Sequence, residues 1–112
     1  MKEISMNEII TLLRAFKNDN KERYRIEKLG LFGSYVKGNY SYDSDVDIVI
    51  ETNTVDLFKL VHLKEELEKF LNKKVDIVRY RKRMNSYLKQ HIDEEAIYVW
   101  QKAGNWNLNT DS

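Results

Sequence analysis

Apolar positions change period several times along the chain, and each change marks an element. Met6, Ile9, Ile10, Leu13 and Phe16 recur at helical spacing. Ser5, with Glu8 three residues later, reads as a capping box opening that helix. Asn18-Asp19-Asn20 is a polar stop, and the charged stretch 21–25 is a helical extension or a loop. Ile26 to Phe32 predicts a strand that runs into Gly33. Ser34 to Lys37 predicts a short helix closed by Gly38. The polar, tyrosine-rich stretch 39–43 is a loop. From Asp45 to Glu51 the pattern alternates, with Val46, Ile48 and Ile50 on one face and Asp45, Asp47 and Val49 on the other. Thr52-Asn53-Thr54 turns the chain into a helix over 55–72, with a stripe of Leu57, Leu60, Val61, Lys64, Leu67 and Leu71. Val75 to Tyr80 predicts a third strand. Met84, Tyr87, Leu88, His91 and Ile92 predict another amphipathic helix, and Ala96 to Trp100 a last short strand.

Long helices alternating with strands point to an α/β layer structure. The link between the first two strands is short, which allows that pair to run antiparallel within a mixed sheet. The chain has 112 residues, enough for one compact core. The expected organisation is one domain over 1–103 and a polar tail over 104–112. Trp100 is expected to pack, and Trp106 to order against a partner. There is no repeat and no low-complexity linker.

With 42% hydrophobic and 33% charged residues, whole-chain disorder is excluded. A net charge of +1 gives no global field for nucleic acid or membrane. Lys73, Lys74, Arg79, Arg81, Lys82 and Arg83 do cluster beside Asp76, as a solvated strand end or as a site for phosphates, RNA or an acidic partner face. Cysteine is absent, which excludes disulfides and thiolate metal sites and fits the cytoplasm. No apolar run resembles a signal peptide or a membrane span.

The chemistry concentrates between residues 33 and 76. A strand running into Gly33 and then a helix aims backbone N–H groups at an anion, and Gly33 permits close approach. The Ser34 hydroxyl adds a donor, and Lys37 one turn on adds a positive charge. The same Gly-Ser also suits an ordinary turn with Ser34 as N-cap. Asp45 and Asp47 leave one strand face roughly 7 Å apart. Two such like charges call for a counter-ion, and oxygen-only ligands favour Mg²⁺ with substrate phosphates as further ligands. Asp76, flanked by Val75 and Ile77, joins them if its strand lies beside theirs. A third carboxylate suits a two-metal displacement in which Asp76 also accepts the proton.

Gly33-Ser34, ten intervening residues and then Asp45-Val46-Asp47 resemble the signature of the nucleotidyltransferase superfamily that includes DNA polymerase β. Leu31-Phe32-Gly33-Ser34-Tyr35 and Ser44-Asp45-Val46-Asp47-Ile48 resemble the minimal nucleotidyltransferases more closely, over about residues 5–100. The resemblance implies a mixed α+β nucleotidyltransferase fold, with a mostly antiparallel sheet flanked by helices. It implies that Gly33 and Ser34 hold the triphosphate of ATP. It also implies that Asp45, Asp47 and Asp76 are catalytic and bind Mg²⁺, as two ions. Lys37 stands where the family commonly has Arg, which keeps the charge but loses the bidentate fork. Larger relatives add a helical domain for base and acceptor, and this length leaves no room for one.

Minimal nucleotidyltransferases of this size are often antitoxins of HEPN-domain ribonuclease toxins. The resemblance therefore implies AMP transfer from ATP to a toxin tyrosine, a hetero-oligomer with that toxin, and no direct nucleic-acid binding. Two other readings stay open: a non-catalytic antitoxin acting by contact, and a small-molecule or RNA nucleotidyltransferase. Tyr35, Tyr40 and Tyr42 either pack at the core or rim, or stack on adenine or line the partner contact. His62 lies off the apolar stripe and is expected to be exposed. His91 is expected to pack beside Leu88, and neither histidine is assigned to chemistry.

Overall fold

The structure, a computed structural model, describes residues 4–54 and 56–99. Helix α1 spans Met6–Asn20. Both halves of its capping box form: Ser5 Oγ accepts the Glu8 N–H at 3.1 Å, and Glu8 Oε1 accepts the Ser5 N–H at 2.9 Å. Its buried stripe is Ile9, Leu13 and Phe16, joined by Lys17. The Lys17 ammonium donates to the Val99 carbonyl at 3.3 Å, and burial holds its pKa below the usual lysine value.

Four strands follow: β1 Ile26–Phe32, β2 Val46–Thr52, β3 Val75–Arg79 and β4 Ile97–Tyr98. They form one sheet in the order β3-β2-β1-β4. β1 is antiparallel to both β2 and β4, whereas β2 and β3 are parallel. The sheet is therefore mixed and mostly antiparallel, as expected. A parallel pair needs a crossover, which helix α3, Leu57–Leu71, supplies. Asn72 at its C-cap is left-handed (φ 56°) and turns the chain into β3. Helix α2 is the single turn Ser34–Lys37, and α4 spans Ser86–Glu95.

The larger core includes Ile9 and Leu13 of α1, Leu63 and Leu67 of α3, and Leu31, Val46, Ile48 and Ile50 of the sheet. On the other face, Ile92 of α4 packs with Phe32 and Val49. β2 is therefore covered on both faces, and the face carrying Asp47 is partly roofed by α4. Among the described residues, no helix is long and apolar enough to cross a membrane.

Three expectations need correction. The buried stripe of α3 is Leu63, Leu67 and Leu71, whereas Leu57 and Val61 are 70% and 56% exposed and Lys64 is exposed. Leu67 and Leu71 are buried as expected and Leu60 packs against the same core, while Leu63 completes the row in place of Leu57, Val61 and Lys64. Second, of the two readings of 21–25, helical extension and loop, it is the extension that fails: the stretch turns and buries Tyr24, at 2% exposed. Third, β3 separates the basic cluster into two groups. Lys73 and Lys74 precede Asp76, while Arg81, Lys82 and Arg83 lie beyond the far end of a five-residue strand, roughly 16 Å away. The last strand is only Ile97–Tyr98. Trp100, Trp106 and the proposed tail lie outside the described residues.

Candidate active site

Gly33 ends β1 with φ 78° and ψ −147°, a conformation that a side chain disfavours. It is the N-cap of α2 and brings no capping side chain, so Ser34 is the first helical residue and not the cap. The N–H groups of Val36 and Lys37 return to the Gly33 carbonyl. Those of Ser34 and Tyr35 fall outside the helix's own ladder, as at any helix start. Gly38 closes the turn at φ 85°.

Register carries the carboxylates to this turn. Phe32 pairs with Asp47 across β1 and β2, and Asp47 pairs with Asp76 across β2 and β3. Phe32, Asp47 and Asp76 thus form a row across three strands, with Gly33 the next residue along from Phe32. The Asp47 carboxylate fills the space where a side chain on Gly33 would stand. Burial pushes the Asp47 carboxyl above its usual pKa, Asp76 and Asp45 push it further, and the Ser34 N–H and Lys37 cation pull the other way. Asp47 is half-buried, while Asp45 and Asp76 are exposed.

Among the described residues the three acids do not close into a ready-made metal cage. Like charges in adjacent register repel. The donor set is nevertheless all oxygen, and a carboxyl pushed up by its acidic neighbours is one that a divalent cation would relieve. The residues fit Mg²⁺ on that chemistry.

The approach to Asp45 is a tight polar turn. The Ser44 N–H donates to the Ser41 carbonyl at 3.0 Å, and Ser44 Oγ accepts the Ser41 N–H at 2.8 Å. Lys73 Nζ donates to the Tyr42 carbonyl at 2.8 Å and lies over the rings of Tyr35 and Tyr42. Lys73 therefore pins the loop to the sheet edge rather than facing phosphate. Tyr35 is buried and stacks on Tyr40 at 4.2 Å, so these two rings belong to the packing. Tyr42 is half exposed. A cleft of about 640 Å³ opens beside Asp45 between this loop and the end of α3.

Lys37 is exposed, and its Nζ stands 3.6 Å from Glu95 Oε2. The same Glu95 oxygen meets His91 Nδ1 at 2.9 Å. The sequence pattern does not point to Glu95 and predicts only packing for His91, which is half-buried. The signal available was their i,i+4 spacing on one helix; nothing local tied them to Lys37. His62 is exposed as expected and stands 3.3 Å from Arg23.

Residues 13–99 match the model of the nucleotidyltransferase domain family. The chain is 35% identical over 100 residues to the protein adenylyltransferase MntA of Thermococcus cleftensis, covering 88% of this chain and all of that one. In structure it resembles a chain of a toxin–antitoxin crystallised with AMP-PNP (TM-score 0.65, 28% identity, 88% of this chain and 75% of that one). It also resembles a chain of the complex of tri-AMPylated Shewanella oneidensis HEPN toxin with MNT antitoxin (TM-score 0.57, 28% identity, 87% and 70%).

Proposed function

The chain belongs to the nucleotidyltransferase domain family, and on that premise we propose that it is a Mg²⁺-dependent protein adenylyltransferase. It moves AMP from ATP to a tyrosine hydroxyl of a HEPN-family toxin and so inactivates it. The observation that carries the reading is the placement of Asp47, whose carboxylate packs against the Gly33 turn and whose strand position faces a second acid, Asp76, in register.

In this reading the turn at Gly33 and Ser34 seats the triphosphate, and Lys37 contributes charge from one turn on. Asp45, Asp47 and Asp76 hold Mg²⁺, as two ions. When bound, the metal offsets the triphosphate charge and lowers the pKa of the attacking hydroxyl. The tyrosine oxygen forms a bond to the α-phosphorus, the bond from that phosphorus to pyrophosphate breaks, and Asp76 takes the hydroxyl proton. The relatives supply the acceptor class, since one is a protein adenylyltransferase and another structure holds an AMPylated HEPN toxin. Residues 1–103 form the catalytic domain and 104–112 a tail, and the protein works in the cytoplasm.

Co-expression with a cognate HEPN-family toxin tests the reading in cells. Wild type should restore growth, and the Asp45→Ala, Asp47→Ala double variant, produced at the same level, should not. Equal rescue by both would instead favour neutralisation by contact.

A further inference from the structure

Lys37 ends a one-turn helix and is about half exposed, a setting in which a lysine samples many rotamers. Here a residue far away in sequence holds it. Glu95 Oε2 stands 3.6 Å from Lys37 Nζ, and the Glu95 side chain is only 19% exposed. Glu95 is the last residue of α4, where the Ala96 N–H closes the helix on the Ile92 carbonyl. Ile92 is buried against Phe32 and Val49, and two residues beyond Glu95 the chain pairs Ile97 with Leu31. Both ends of the segment bearing Glu95 are therefore fixed to the sheet.

The carboxylate is oriented as well as placed. His91 Nδ1 meets the same oxygen at 2.9 Å, and the Tyr87 ring packs edge-on to His91 at 4.5 Å between centroids. The His91 bond first, and Lys37 less strongly, hold the Glu95 carboxyl below its usual pKa. On its other side, the Lys37 charge reaches Asp47. Lys37 is thus paired with a braced acid on α4 while its charge is felt at Asp47.

We infer that Glu95, oriented by His91, is a positioning residue that keeps Lys37 aimed at the triphosphate of the bound nucleotide. The inference rests on the reading of the Gly33–Ser34 turn as the triphosphate seat. Magnitudes favour guidance over capture. A partly exposed lysine–carboxylate pair is too weak to keep Lys37 from a polyanion with several negative charges. It is enough to bias the rotamers of a long, flexible side chain.

Calorimetric titration with Mg²⁺ and AMP-PNP tests this without an acceptor. Lys37→Ala should weaken binding about tenfold, and Glu95→Gln about three- to fivefold, as expected from the loss of a charge contact and of its guide. In the Lys37→Ala background, Glu95→Gln should add nothing. His91→Ala should give a smaller weakening that likewise vanishes without Lys37. Unchanged or tighter binding by Glu95→Gln overturns the inference. So does an equal loss with and without Lys37, which would mark Glu95 as merely structural. If Lys37→Ala binds as wild type does, the phosphate role of Lys37 fails and the inference with it. If Gly33→Ala also binds as wild type does, the triphosphate seat itself is refuted.

Discussion

Asp47 occupies the space that a side chain at position 33 would need, so the glycine and the acid can be tested together. Gly33→Ala meets that carboxylate and also holds a backbone conformation that costs roughly 1–3 kcal/mol for a residue with a side chain. Urea denaturation should show a loss of at least that size, together with lost nucleotide binding. Asp47→Asn should act in the opposite direction on stability. Burial, Asp76 and Asp45 all disfavour the Asp47 charge, so in metal-free buffer the Asn variant should melt higher than wild type while transfer is lost. Adding Mg²⁺ should raise the wild-type melting temperature and leave the variant unchanged. A variant that melts lower in metal-free buffer would mean that the Ser34 N–H and Lys37 outweigh the repulsion.

Between elements, the contact from the α1–β1 link to α3 has its own pH signature. Tyr24 donates to Glu66 Oε1 at 2.5 Å, and its hydroxyl pKa is pushed up to about 12 by burial and then by Glu66. The unfolded value is about 10. The folded state therefore holds this proton more tightly, so the contribution is complete below about pH 10 and is lost as pH rises toward 12. Tyr98 adds a loss of the same sign, because burial and then Glu51 raise it to about 12 as well. Tyr24→Phe should flatten, without abolishing, the fall in urea midpoint across about pH 9 to 11.5. An unchanged slope would remove Tyr24 from the account. This contact was not legible locally, since Tyr24 is flanked by Arg23 and Arg25 and only the folded chain brings Glu66 to it. The capping box and the strand from Ile26 to Phe32 were legible, because local hydrogen bonding and apolar runs decide them. The α3 stripe was right at Leu67 and Leu71 and wrong at Leu57 and Val61, because those two apolar residues lie beside the buried row and packing alone selects between them.

For the whole molecule, the site reads from the sequence to the extent that sheet register is implied. Two strands joined by a short link bring Gly33 beside Asp47, and a helical crossover brings Asp76 into line. The meeting of Lys37 with Glu95 depends on how α4 crosses the sheet, which no local pattern encodes. The acceptor is not part of the carboxylate row. Leu57 and Phe58 at the start of α3 are 70% and 87% exposed, while the carboxylates lie at the other end of β2. Transfer of ³²P from α-labelled ATP to a cognate HEPN-family toxin, with Mg²⁺ present, tests the central claim most directly. The expected result is label on a tyrosine of that protein with wild type, and none with Asp47→Asn or after chelation of the metal. Absence of label with folded, nucleotide-binding wild type, or equal labelling by Asp47→Asn, would contradict it.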